Sequence, residues 1–298
     1  MSDHTQQLEA LPKEHDFFVG IDSDGCAFDA MEIKHKECFI PAMIKHWDLQ
    51  PISRFARQAS EFVNLYSRHR GSNRFVALLR VMELLGDWPQ VQRRGYRPPD
   101  MTPLREWIER ETRLSSITLR EEVNRSGEPL LERALAWSDA ANAAIEDMVR
   151  NVPPYPLVRE SLRKLCGGAD IIVCSSTPLE ALQREWAEHG LAQYAAMICG
   201  QEQGSKKEHL RYAASGKYDP DKVLMIGDAP GDMRAAKSNG FLYYPINPGR
   251  EAESWQRFHD EAAGRFFDGA YAGDYEAERI EEFKALLPSD PPWKRRTS

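Results

Sequence analysis

The chain has 298 residues, of which 42% are apolar and 29% charged, with a formal net charge of -7. That composition excludes a disordered chain, and the acidic balance gives no electrostatic footprint for nucleic acid. No apolar run approaches the roughly 18 residues of a spanning helix, so neither nucleic acid nor membrane is expected as a partner.

The chain starts "MSDHTQQLEALPKEH", which lacks the basic-then-apolar order of a signal peptide. Five cysteines occur without a C-x-x-C pair, which suits buried free thiols in a cytoplasmic protein. "FFVGI" (17–21) reads as the first buried strand and runs into the acidic stretch "GIDSDGCAFD". From about 31 to 150 the apolar period is helical. Phe75, Leu78, Leu79, Met82 and Leu85 form one stripe, and Leu131, Leu135, Ile145 and Met148 belong to a long helix running toward 150. "NVPPYP" (151–156) is a stiff return.

Four more apolar runs follow: "DIIVCS" (170–175), "AAMICG" (195–200), "KVLMIG" (222–227) and "FLYYPI" (241–246). Helical patterns separate them, as in a parallel sheet covered on both faces. The fold class expected is therefore α/β. Residues 15–30 and 151–250 form a Rossmann-like sheet core, 31–150 an inserted all-helical domain, and 251–298 a helical extension.

In an open α/β sheet, ligands sit outside the carboxyl ends of the strands. Those ends carry Asp22 and Asp24 after the first run and Ser175 and Ser176 after the second. Lys206 and Lys207 follow the third, and Asp228 and Asp232 the fourth. The carboxylates suit a hard divalent ion such as Mg²⁺. One carboxylate can attack phosphorus and another can move the proton of the leaving oxygen, while a hydroxyl and an ammonium hold the phosphoryl oxygens. "DSDG" taken alone is also an ordinary turn. It fails as a calcium loop, because Cys26, Ala27 and Ile33 fall where that loop needs ligands and a glycine.

Asp22-Ser23-Asp24-Gly25, Ser175, Lys206 and "GDAPGD", in that order, resemble the four motifs of the haloacid dehalogenase superfamily. The resemblance covers about 15–30 and 150–250, and it implies that the helical insert is a cap domain placed after the first motif. It implies Asp22 as nucleophile, Asp24 as general acid/base, Ser175 as phosphoryl ligand and Lys206 as stabilising cation. Mg²⁺ would be held by Asp22, the backbone carbonyl of Asp24 and Asp228, with Asp232 in or near that shell. The acid at Asp24 favours phosphoryl transfer over dehalogenation.

The implied activity is a Mg²⁺-dependent phosphatase acting on a small phosphorylated metabolite. A phosphomutase and a phosphonatase of the same superfamily are alternatives, the latter needing a cap lysine such as Lys34, Lys36 or Lys45. A phospho-receiver module is an alternative of another class. Ser176 and Thr177 compete with Ser175, and Lys207 with Lys206. Asp29 is read as stabilising the start of a helix. In the insert, "NLYSRHRGSNRF" gathers Arg70, Asn73 and Arg74, which with Ser176 are the substrate-binding candidates. "MEIKHKE" adds Glu32, Lys34, His35 and Lys36 as pocket candidates.

Overall fold

A computed structural model describes residues 3–294. By contact the chain divides into two units, residues 1–31 with 151–287 and residues 32–150 with 288–298.

The first unit is built on a five-stranded sheet in the order β3-β2-β1-β4-β5. Its strands are β1 (Phe17–Ile21), β2 (Ala169–Cys174), β3 (Met197–Cys199), β4 (Val223–Gly227) and β5 (Leu242–Pro245). Every pairing is parallel, with Val19 opposite Ile171 on one side and Leu224 on the other. This is the expected α/β sheet. β3 is shorter than its apolar run because it lies at the sheet edge, with Met197 and Ile198 only partly buried.

Side chains alternate across the pleat. Val19, Ile21, Ile171, Val173, Leu224, Ile226 and Tyr244 face one core, while Phe18, Ile172, Cys174, Met225 and Tyr243 face another. Both faces are therefore apolar, as a parallel sheet requires. The segment 251–287, set apart by sequence as an extension, covers both of them. Trp255, Phe258 and Phe266 enter the first core, and Phe283 and Leu287 the second.

The N-terminal segment is tied to the base of β2 by Asp170. Its carboxylate accepts the backbone N–H groups of Glu14 (3.0 Å) and His15 (3.1 Å) and the Tyr218 hydroxyl (2.6 Å), and it pairs with His15 Nδ1 at 2.9 Å. Burial alone would raise the Asp170 pKa, but the hydrogen bonds from Tyr218 and His15 outweigh it and hold it below 3.8. The folded state thus favours the ionised form, a contribution present above pH 3.8 and lost as pH falls through the folded value. Asp170→Asn is expected to lower Tm at pH 7 by about 2–4 °C and to flatten the acid side of the Tm–pH curve. Thermal melts across pH check both.

The second unit is helical. Its helices include Lys34–Phe39 in a π-helical turn, Ile40–His46, Ser53–Leu65, Arg74–Gly86, Thr102–Arg110, Ser116–Ser126 and Pro129–Met148. The predicted stripe Phe75, Leu78, Leu79, Met82 and Leu85 is buried here. Met148 is 46% exposed instead, because the buried face of its helix ends at Ala141. Residues beyond 287 join this unit. Trp293 stacks on Trp88 with centroids 4.1 Å apart and planes at 2°, and packs edge-on to Phe62 at 5.6 Å. Pro288 O accepts the N–H of Arg68 at 3.3 Å.

Among the described residues, no helix is long and apolar enough to cross a membrane.

Candidate active site

The strand order reverses between β1 and β4, the switch point at which open α/β sheets hold ligands. Asp22 lies there. Its N–H donates to Ile226 O at 3.0 Å, extending the β1–β4 ladder one residue past the strand. The residue is 5% exposed, and Oδ1 accepts the N–H of Ser23 at 2.8 Å. The chain then turns through Gly25 at φ 75°, a conformation that glycine adopts without strain. Asp24 is half-buried, and its Oδ2 accepts the Thr177 hydroxyl at 2.9 Å. Asp29 is exposed and accepts the Tyr155 hydroxyl at 3.0 Å.

β4 delivers the other acids. Asp228 follows the strand, and helix Pro230–Lys237 begins almost at once. Asp232, in its first turn, folds back so that Oδ2 accepts the N–H of Ala229 at 3.0 Å. This brings it against the strand end at Gly227, where any Cβ would lie 2.5 Å from Asp232 Cβ, Cγ and Oδ2. Gly227→Ala is expected to cost about 1–3 kcal/mol and to displace the Asp232 carboxylate. The checks are a lowered Tm and a smaller Tm rise on adding Mg²⁺.

Lys206 comes from the far side of the sheet. Ser205 caps helix Lys206–Ala214, accepting the N–H of Glu208 at 3.3 Å while Glu208 accepts the N–H of Ser205 at 2.8 Å. This capping box fixes the first helical turn. Lys206 then points inward, and Lys207 is exposed. Lys206 Nζ lies 2.6 Å from Asp22 Oδ2 and 2.5 Å from Asp232 Oδ1. Burial disfavours its ammonium, but Asp22 and Asp232 prevail and hold its pKa above the ordinary lysine value. Burial pushes the Asp22 carboxyl well above its ordinary range, against the pull of Lys206 and with the help of Asp232 and Asp228.

Ser175 directly follows β2 and is buried. Its N–H donates to Cys199 O at 3.0 Å and its Oγ accepts the N–H of Thr177 at 3.2 Å. Ser176 is exposed, and Thr177 contacts Asp24. The three neighbours thus take different positions. Ser175 stands at the strand end and Thr177 holds the second aspartate.

The substrate-binding candidates of the helical unit have structural partners within it. Asn73 caps helix Arg74–Gly86, accepting the N–H of Phe75 at 3.0 Å and donating to Leu114 O at 2.9 Å. Arg74 donates to Ser138 Oγ at 2.9 Å and Asn142 Oδ1 at 2.6 Å and lies over the Phe39 ring; burial pushes its pKa down to about 10. Arg70 is buried and donates to Leu65 O at 3.0 Å. In the structure Asn73 therefore caps a helix and Arg74 is held by Ser138 and Asn142. Glu32 pairs with Lys36 at 2.6 Å and accepts the Tyr66 hydroxyl. Lys34 is buried.

Asp22, Asp228 and Asp232 each offer a carboxylate oxygen, and these oxygens lie within 4.8 Å of one another. All are hard donors, and together they outnumber the single ammonium of Lys206, so a divalent cation such as Mg²⁺ fits the set.

Sequence reasoning passed over Ser23, Glu185 and Trp186. Ser23 Oγ donates to Glu185 Oε2 at 2.9 Å and accepts the indole N–H of Trp186 at 3.0 Å. The available signal was a serine between two aspartates.

The sequence profile of the haloacid dehalogenase-like hydrolases matches residues 21–240. A phosphoglycolate phosphatase of Vibrio vulnificus is 23% identical over 159 residues, which span 46% of this chain and 70% of that protein. Among solved structures, a predicted phosphoglycolate phosphatase from Haemophilus somnus aligns with a TM-score of 0.43 at 16% identity, covering 78% of this chain and 86% of the other. A hydrolase from Pseudomonas syringae aligns with a TM-score of 0.46 at 15% identity, covering 81% and 90%.

Proposed function

This chain belongs to the haloacid dehalogenase-like hydrolases, and on that premise we propose that it is a phosphatase that hydrolyses a small phosphomonoester through an aspartyl-phosphate on Asp22. The observation that carries the proposal is the buried trio of Asp22, Asp228 and Asp232, with Lys206 paired to two of them, at the switch point between β1 and β4.

In this reading Asp22 attacks phosphorus and the bond from phosphorus to the ester oxygen breaks. Asp24 gives its proton to the leaving alcohol and then takes one from the water that cleaves the acyl phosphate. The products are the alcohol and inorganic phosphate, and Asp22 is restored. Ser175 donates to a phosphoryl oxygen and Lys206 offsets charge on the transferred group. Thr177 keeps the Asp24 carboxylate oriented through its 2.9 Å hydrogen bond. Mg²⁺, held by Asp22, Asp228, the carbonyl of Asp24 and Asp232 in or near the shell, would lower the repulsion between the carboxylates and the phosphate dianion.

The helical residues 32–150 take the part of a cap that selects the substrate. The named activity of the Vibrio vulnificus relative makes 2-phosphoglycolate the first substrate to try. Five free cysteines agree with a cytoplasmic setting.

The test is phosphate release from a panel of small phosphomonoesters, 2-phosphoglycolate and p-nitrophenyl phosphate included, with Mg²⁺ and with EDTA. Release that requires the metal is expected. Conversion of sugar phosphates without accumulation of free phosphate would replace hydrolysis with the mutase reading. Borohydride trapping of an imine with substrate would point to the phosphonatase.

A further inference from the structure

Ser23 stands between the two aspartates, is fully buried, and has every polar atom engaged. Its N–H holds Asp22 Oδ1 at 2.8 Å. Its carbonyl accepts three backbone N–H groups, from Cys26 (3.3 Å), Ala27 (2.9 Å) and Phe28 (3.0 Å), and so closes the turn that carries Asp24. Its hydroxyl leaves the loop, donating to Glu185 at 2.9 Å and accepting from Trp186 Nε1 at 3.0 Å. Glu185 and Trp186 lie on helix Leu179–Glu188, which follows the end of β2. That same chain segment supplies Thr177, whose hydroxyl holds Asp24.

We propose that Ser23, through Glu185 and Trp186, is a positioning residue that fixes the nucleophile loop to the helix after β2. The inference rests on the reading of Asp22 as nucleophile. The geometry makes the argument. The backbone hydrogen bonds close the turn on itself, and Asp22 is repelled by Asp232 and Asp228, but the turn has no backbone link to the helix after β2 that would hold it in place against that repulsion. Two side-chain anchors on a single neighbouring segment supply the link, Thr177 to Asp24 and the Glu185–Trp186 pair to Ser23. Trp186 is itself fully buried in the apolar core of that face, so its indole N–H is held at a fixed place. A hydrogen bond from a locked ring gives direction, and the carboxylate of Glu185 decides which way the Ser23 hydroxyl points.

The experiment uses the full chain with p-nitrophenyl phosphate and saturating Mg²⁺, reading kcat, KM and Tm for each variant. Ser23→Ala, Glu185→Ala and Trp186→Phe are expected to lower kcat by about tenfold or more, since small displacements of reacting groups are costly, with KM within about twofold. Glu185→Gln keeps an oxygen that accepts from Ser23 and is expected to recover kcat to within about threefold of the wild type. That rescue separates positioning from charge and from packing. A kcat within about twofold of the wild type for folded Ser23→Ala and Glu185→Ala overturns the inference. So does a Glu185→Gln variant as impaired as Glu185→Ala with Tm falling in step, which would make the contact purely structural. Asp22→Asn runs alongside. If it is inactive while Ser23→Ala is fully active, only the positioning inference fails. If it turns over at the wild-type rate, the reading of Asp22 fails and the inference falls with it.

Discussion

Asp22→Asn is expected to lower phosphate release by about 10³-fold or more while leaving a folded protein, because the variant loses the attacking oxyanion and little else. Asparagine keeps the shape of the side chain and an oxygen for the Ser23 N–H that now reaches Asp22 Oδ1 at 2.8 Å. The stability effect has the opposite sign to the activity effect. Burial holds the Asp22 pKa well above 3.8 in the folded state, so its charge is disfavoured there. That penalty is absent below pH 3.8 and grows as pH rises from there to the folded value. At neutral pH without metal the variant is therefore expected to melt no lower than the wild type. Its Tm should also rise less on adding Mg²⁺, because one ligand oxygen has lost its charge. Phosphate assays and thermal melts with and without Mg²⁺ check all three statements. An active, folded Asp22→Asn would end the aspartyl-phosphate reading.

Lys206→Met carries the second large effect and should lose both activity and stability. The wild-type ammonium lies 2.6 Å from Asp22 and 2.5 Å from Asp232, and its side chain is 15% exposed. Removing it leaves buried carboxylates facing one another, a change that costs about 3–5 kcal/mol when one partner of a buried pair is deleted. Phosphate release is expected to fall by about 10²-fold or more, as when a preorganised donor to the transferred group is lost. A divalent cation repairs part of the electrostatic damage but not the catalytic loss. Mg²⁺ should therefore raise the Tm of the variant more than that of the wild type while activity stays low. The folded pKa of Lys206 lies above 10.5, so its contribution is fully present below that pH and lost as pH rises through the folded value. The stability difference from the wild type should accordingly persist unchanged at neutral and mildly alkaline pH.

The sheet was legible because β1, β2, β4 and β5 are short, continuous apolar runs, which two-sided burial demands. Asp22, Ser175 and Asp228 were legible as strand-end residues, since each directly follows a strand. The choice between Lys206 and Lys207 was not, since the direction of either side chain depends on the cap made by Ser205 and Glu208. The partners of Asn73 and Arg74 were hidden for a related reason. A polar cluster beside a glycine looks alike in sequence whether it caps a helix or meets a ligand, and the contacts to Phe75, Ser138 and Asn142 come from the fold. Ser23 was hidden because its partners, Glu185 and Trp186, lie about 160 residues away.

The stacking of Trp293 on Trp88 has a consequence for the order in which the chain takes shape as it is made. Residues 32–150 leave the ribosome as one continuous stretch and can collapse early, since domains fold from the N-terminal side during synthesis. Their Trp88 and Phe62 face, however, waits for a tryptophan translated after every strand and helix of the sheet unit. β1 waits in turn, because its neighbours β2 and β4 lie beyond the whole helical insert. The sheet unit thus opens first, and the helical unit closes last. A nascent chain stalled before residue 288 would carry a finished sheet and a helical unit still showing an aromatic face.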